Sequence, residues 1–270
     1  MAGSVPRGRF VWYDLMTTDP DGATEFYSKV TGWSTVPWEG GQAEGGKPYM
    51  MWMNGEKAIG GIMTLPEEAR QQGAPPHWLA YITTPDTDAT VGTAQELGAR
   101  ILVQPTDIPS VGKFGIFQDP QGAVLAAFTP SEVPPGHGDP PRVGEMSWHE
   151  LATTNHEEAF EFYTTLFGWQ KTDAMDMGEM GTYQLYGPES DEAVTYGGIF
   201  NKPAEVQWPP HWLYYIRVDD IHAAVDRVKE NGGQVLNGPM EVPGGDMIAQ
   251  CVDPQGAAFA LHATSHTSGE

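Results

Sequence analysis

Trp148-His149-Glu150-Leu151-Ala152-Thr153-Thr154-Asn155 restates Trp12-Tyr13-Asp14-Leu15-Met16-Thr17-Thr18-Asp19, 136 residues later in the chain. That echo decides how the rest is read. Phe26-Tyr27 and Gly32-Trp33 return at the same spacing as Phe162-Tyr163 and Gly168-Trp169. Gly60-Gly61-Ile62 returns as Gly197-Gly198-Ile199. Pro75-Pro76-His77-Trp78-Leu79 returns as Pro209-Pro210-His211-Trp212-Leu213, and Asp119-Pro120-Gln121-Gly122 as Asp253-Pro254-Gln255-Gly256. Self-similarity kept in order along the chain marks two copies of one module. Residues 129–144, with Pro130, Pro134, Pro135, Pro140 and Pro141, read as a semi-rigid linker without core-forming residues.

Within each copy the hydrophobic periodicity predicts a strand, a helix and several strands, twice over. Asp19 and Asn155 stand where helix N-caps belong, and Glu158 follows Asn155 at capping-box spacing. Ala23, Phe26, Tyr27 and Val30 make the i, i+3, i+4, i+7 stripe of a helix laid on a sheet; Ala159, Phe162, Tyr163 and Leu166 repeat it. Gly32 and Gly168 end these helices. A second helix shows as Ile221, Ala224, Val225 and Val228, ended by Gly232, with a counterpart from about Thr87 to Gly98. The Asp-Pro-Gln-Gly elements are turns, with proline and glycine at the positions such turns favour. The fold class is therefore α+β, built from four βαβββ units. Linker length allows pairing within or across copies, and pairing within each copy is the expectation.

Composition narrows the function. The chain has 270 residues, enough for two domains. Its 36 acidic and 14 basic residues give a net charge of −22, which repels phosphate backbones and argues against a nucleic-acid partner. No stretch approaches the roughly 18 apolar residues of a membrane span. The opening Met1-Ala2-Gly3-Ser4-Val5-Pro6-Arg7 lacks the apolar core of a signal peptide. A single cysteine, Cys251, builds no internal disulfide and fits a reducing compartment. A cytoplasmic monomer or homodimer is expected. No Ser-His-Asp or reactive-cysteine arrangement is visible, and the glycines near Gly40–Gly46 precede no helix that would make them a phosphate cradle.

Taken together, Trp-x-Asp/Glu-Leu-x-Thr-Thr, Phe-Tyr, Gly-Trp, His-Trp-Leu-x-Tyr-Ile and Asp-Pro-Gln-Gly resemble the vicinal oxygen chelate superfamily of glyoxalases, bleomycin-resistance proteins and extradiol dioxygenases. The chain is most similar to its tandem two-module actinobacterial type, often labelled glyoxalase, bleomycin-resistance protein or hydroxylase of antibiotic clusters. The resemblance covers residues 9–128 as module 1 and 145–262 as module 2, with 129–144 as the Pro/Gly-rich linker. It implies that four βαβββ units curl into two cup-shaped sheets holding a ligand or metal. The metal-ligand positions it implies fall on Trp12 and Trp148, Leu79 and Leu213, and Ala126 and Ala260. The Gly-Gly-Ile segments add no carboxylate. A divalent cation needs several nitrogen or oxygen ligands converging on it. No metal or other cofactor is expected.

Strand alternation then populates the cup face. Trp12 shares a face with Asp14, and Trp148 with Glu150; His149 points the other way. His77 and Tyr81 align in copy one, matched by His211, Tyr215 and Arg217 in copy two. Phe128 and His262 end the last strands. Aromatic walls with a few polar handles are the usual make-up of a small-molecule site. The plainer reading makes the tryptophans core and lets His77 and His211 tie down strand entry beside their prolines. Copy two is richer in chemistry, and Glu150 with His211 are its candidate acid–base pair. The expected function is binding of a small aromatic or polyketide-like molecule in a metal-free cup, for sequestration or a metal-independent biosynthetic step. The alternative is a metal-dependent lyase or dioxygenase with non-standard ligands.

Overall fold

A computed structural model describes residues 5–42, 48–132, 140–189, 191 and 193–265. Linker residues 133–139, most of the glycine segment and the chain start, about which the sequence raised expectations, lie outside the described residues. Copy one runs β1 (Phe10–Thr17), α1 (Pro20–Thr31), β2 (Ser34–Gln42), β3 (Pro48–Asn54), β4 (Lys57–Thr64), α2 (Glu67–Gln71), β5 (His77–Thr83), α3 (Thr87–Glu96), β6 (Arg100–Ile108), β7 (Gly112–Gln118) and β8 (Val124–Pro130). Copy two runs β9 (Met146–Thr153), α4 (His156–Phe167), β10 (Trp169–Asp176), β11 (Thr182–Pro188), β12 (Gly197–Asn201), β13 (His211–Arg217), α5 (Ile221–Glu230), β14 (Gln234–Glu241), β15 (Met247–Val252) and β16 (Ala258–Ala263). The short polar α2, which buries none of its residues, is a helix the periodicity does not announce.

Helix ends follow their local chemistry. The Asp19 side chain accepts from the Gly22 amide, and Asn155 accepts from those of Glu157 and Glu158. These are donors that a helix start otherwise leaves unpaired. Gly32 and Gly168 close the helices at φ +78° and +70°, a left-handed conformation that glycine adopts without a Cβ penalty.

The strands form two eight-stranded sheets, ordered β2-β3-β4-β1-β5-β8-β7-β6 and β10-β11-β12-β9-β13-β16-β15-β14. The expected α+β class and two sheets, one per copy, are what the chain builds. The parallel pairs have equivalent registers: Asp14 faces Gly61 as Glu150 faces Gly198, and Tyr81 faces Ala126 as Tyr215 faces Ala260.

The backbone groups differently in space, into two compact units that each draw on both copies. Unit 2 comprises Tyr13–Trp78, Pro140–Trp148 and Leu213–Glu270. In it α1 packs on α5, and the rings of Phe26 and Tyr27 meet Phe259 at 5.8 and 5.3 Å. Trp78 Nε1 donates to the Tyr27 hydroxyl (2.9 Å), which donates to Asp253 (3.2 Å); Trp33 Nε1 donates to the Gly144 carbonyl (2.8 Å).

Unit 1 comprises Met1–Trp12, Leu79–Asp139 and His149–Trp212. It repeats the scheme with α3 on α4 and Phe117 against Phe162 at 6.0 Å. Trp212 Nε1 donates to Tyr163 (3.2 Å), Tyr163 to Asp119 (2.8 Å), and Trp169 Nε1 to the Gly8 carbonyl (2.7 Å). Asp119 Oδ1 also accepts the amides of Gln121, Gly122 and Ala123, while Gln121 Oε1 accepts from Thr153 and from the amides of Thr154 and Asn155. Buried polar groups must find partners. The Tyr of Phe-Tyr, the Trp of Gly-Trp and His-Trp, and the Asp of Asp-Pro-Gln-Gly supply those partners in both units.

Candidate functional sites on the sheet faces

In unit 2, Leu213, Tyr215 and Ala260 form a buried apolar cluster on β13 and β16, with Trp148, Ile248 and Ala258 packed against it. Tyr215 is 2% exposed, and Gln250 Nε2 donates to its hydroxyl at 3.3 Å. Trp148 stays only partly covered, so an aromatic surface accompanies a polar group. One register step along, Arg217 faces His262. The Arg217 guanidinium donates to the Pro141 carbonyl and, at 3.2 Å, to Thr264 Oγ1. His262 Nε2 lies 3.0 Å from Asp246, and its Nδ1 lies 2.8 Å from the Ser147 hydroxyl. Burial pushes the Asp246 carboxyl up. The bonds from His262 and the Ser265 amide, with the nearby positive charges, outweigh this and hold it below its usual range. The sequence shows no Ser-His-Asp arrangement, yet the fold assembles Ser147, His262 and Asp246 in one row.

In unit 1, Tyr81 lies tilted at 6.0 Å from Phe114 and edge-on at 6.3 Å to Phe128. Trp12, at the boundary residue of this unit, is half-buried on β1. This aromatic group occupies in copy one the positions that Tyr215 and His262 occupy in copy two.

Each copy also buries a carboxylate on its first strand. Asp14, 3% exposed, accepts from the Tyr49 hydroxyl at 2.5 Å in unit 2. Glu150, 9% exposed, accepts from the Tyr183 hydroxyl at 2.7 Å in unit 1. The glycine beside each carboxylate is required by space: a Cβ on Gly61 would overlap the Tyr49 hydroxyl, and one on Gly198 the Tyr183 ring. Tyr49 and Tyr183 are functional candidates that motif reading missed. They stand 134 residues apart, the spacing of the later motifs, so aligning the copies between motifs would have found them.

The histidines divide by role. His77 Nδ1 lies 2.8 Å from the Pro75 carbonyl and His211 Nδ1 3.0 Å from that of Pro209, which fixes each ring at a strand entry. Burial lowers the pKa of both, partly countered by that bond. The His211 ring also meets half-exposed Trp208 edge-on at 4.9 Å. His149 is stacked on Phe10 at 3.7 Å, bonds the Tyr196 carbonyl, and is driven by burial to a pKa of about 4. Cys251 is buried in β15, and burial pushes its thiol up to about 12, where little reactive thiolate forms.

The residues do not fit the metal that the resemblance implies. Trp148, Leu213 and Ala260, which stand at three of the implied ligand positions, offer an indole N–H and hydrocarbon where a cation needs lone pairs. Among the described residues, no three His, Cys, Asp or Glu side chains converge to hold a metal.

The family profile of the glyoxalase/bleomycin resistance protein/dioxygenase superfamily matches residues 9–126 and again 145–261. CFP32 of Mycobacterium tuberculosis, whose name places it provisionally among glyoxylases, is 31% identical over 252 residues, covering 93% of this chain and 92% of its own. DnrV of Streptomyces peucetius, named an anthracycline biosynthesis protein, is 27% identical over 266 residues, covering 94% and 92%. Among solved structures, the halotolerant catechol dioxygenase BphC superposes with a TM-score of 0.64 at 14% identity, covering 97% of this chain and 88% of that one. The Mn(II)-bound glyoxalase of Novosphingobium aromaticivorans superposes at 0.61 with 19% identity, covering 96% and 82%. At such identities the structural likeness speaks for the fold alone.

Proposed function

Because the chain belongs to the glyoxalase/bleomycin resistance protein/dioxygenase superfamily, we propose that it binds a small aromatic or polyketide-like molecule on its sheet faces without a metal ion. The observation that carries this reading is the apolar cluster of Leu213, Tyr215 and Ala260 with Trp148 beside it, at positions where the resemblance implies metal ligands. A flat ligand gains burial and offset stacking there. The anthracycline name of the Streptomyces relative supports a fused-ring ligand. Asp14 and Glu150, each bonded to a tyrosine, are polar handles, and Tyr81 with Phe128 gives copy one its own aromatic wall. The role is sequestration or a metal-independent step, with Glu150 and His211 as acid–base candidates for the latter.

The modules are residues 9–128 and 145–262, joined by 129–144. The protein acts in the cytoplasm as a monomer or homodimer, and the −22 charge keeps it off nucleic acid. Among the described residues, no helix is long and apolar enough to cross a membrane. Tryptophan fluorescence, titrated with anthracycline and simpler aromatic polyketide scaffolds, tests the reading. Saturable quenching by such compounds supports it; no quenching, or turnover of a glutathione–methylglyoxal hemithioacetal, overturns it.

A further inference from the structure

The row of Ser147, His262 and Asp246 differs in kind from the motifs that hold the fold. Those motifs recur in both copies because each compact unit needs them. This trio does not recur: the corresponding residues of copy one are Val11, Phe128 and Gly112. Unit 1 is therefore built without it. The trio is also reachable: the His262 side chain is 15% exposed, that of Asp246 is 35% exposed, and Ser147 is partly exposed.

We propose that Ser147 is a nucleophile, with His262 as its general base and Asp246 positioning the imidazole, and that this site hydrolyses carboxylic esters. The hydrogen-bond geometry sets the roles. Asp246 accepts from Nε2–H of His262 at 3.0 Å, which fixes the tautomer with its lone pair on Nδ1. That lone pair faces the Ser147 hydroxyl at 2.8 Å. The Tyr215 carbonyl, at 3.2 Å from the same oxygen, is the more distant acceptor for its proton. Arg217, the register partner of His262, adds a positive charge near Asp246. Asp246 and Arg217 are charged neighbours of His262, the latter anchored on Pro141 and Thr264.

The step balances without a metal or redox partner. Ser147 Oγ bonds the ester carbonyl carbon while its proton passes to His262 Nδ1. Collapse of the tetrahedral adduct breaks the carbon–oxygen bond to the alcohol, which leaves with that proton. Water, deprotonated by the same nitrogen, then cleaves the acyl-serine and releases the acid. The net change is ester plus water to acid plus alcohol. None of this rests on the aromatic ligand of the preceding reading.

The test uses the full-length protein, an alkyl fluorophosphonate probe and p-nitrophenyl esters of short acids. Mass mapping of the labelled wild type should place the phosphonyl group on Ser147, with label and ester hydrolysis both lost in Ser147→Ala. His262→Asn should slow both by about 100-fold or more, the usual size of a general-base contribution. Asp246→Asn should slow them about tenfold, since the imidazole loses the carboxylate that holds its tautomer and orientation. Asp246→Glu should partly restore both, which a merely structural role would not. No label on the wild type, label on another residue, or undiminished labelling of a folded His262→Asn overturns the assignment. Should a variant fail to fold, the position of the label on the wild type decides alone.

Discussion

Tyr27 donates its phenol hydrogen to Asp253 across 226 residues of chain, and both groups are buried. Tyr163 does the same to Asp119. Each bond joins the helix of one copy to the turn of the other inside a single compact unit. Tyr27→Phe leaves Trp78 Nε1 and one Asp253 oxygen without this partner, and Tyr163→Phe does so for Trp212 and Asp119. An orphaned buried polar group costs about 1–3 kcal/mol. Both variants should therefore melt several degrees below wild type, and a double-mutant cycle of Tyr27→Phe with Asp253→Asn should show clear coupling. Independent, additive losses would mean that the bond carries no stability.

Cutting the chain in its linker separates the partners of both bonds. Residues 1–136 and 137–270, expressed alone, should each lack the cooperative melting transition of the full chain, because each unit draws on both copies. Co-expression should restore the transition and co-purification of the pieces. Two halves that melt cooperatively by themselves would show that each copy suffices.

Gly198→Ala places a methyl group in the space of the Tyr183 ring and should displace the phenol from Glu150. Overpacking of this kind costs about 1–3 kcal/mol. The same substitution in a Tyr183→Ala background should cost much less, which denaturant melts of the four proteins would read. Gly61→Ala and Tyr49 form the matching cycle in copy one.

His149 gives the stability a defined pH dependence. Its folded pKa of about 4 lies below the ordinary histidine value of 6.5, so the unfolded chain takes up a proton that the folded chain refuses. The neutral ring's contribution is complete above pH 6.5 and is lost as the pH falls towards 4. The total is about 3 kcal/mol at roughly 1.4 kcal/mol per pH unit. Urea melts between pH 7 and 4.5 should show this slope, and His149→Asn should flatten it. An unchanged slope in the variant would assign the effect to other groups.

For the proposed ligand, Trp148→Ala should weaken binding about two- to tenfold, the loss of one stacking contact worth roughly 0.5–1.5 kcal/mol. Trp12→Ala should weaken it less, because Trp148 packs on the Leu213, Tyr215 and Ala260 cluster and has the Gln250 amide beside Tyr215 as a polar anchor. Dialysis against a chelator should leave the affinity unchanged. Equal affinities in both variants and wild type would place the ligand elsewhere.

The repeat, the four βαβββ units, the helix caps and the α+β class were legible in the sequence because each depends on neighbours in the chain. An N-cap needs its own next few residues, and a helix stripe needs side chains one turn apart. Trp148, Leu213 and Ala260 could be read as lacking metal donors on side-chain chemistry alone. The phenols of Tyr49 and Tyr183 carry no local signature, since their meaning lies in a glycine on one neighbouring strand and a carboxylate on the next. Ser147, Asp246 and His262 are separated by most of copy two, and no spacing rule links them. The sequence by itself determined what recurs, because recurrence is local chemistry written twice. Only the tertiary structure decided which half packs with which, and which polar side chains meet. Those outcomes follow from long-range burial and strand register, where one buried hydrogen bond selects its partner from anywhere in the chain.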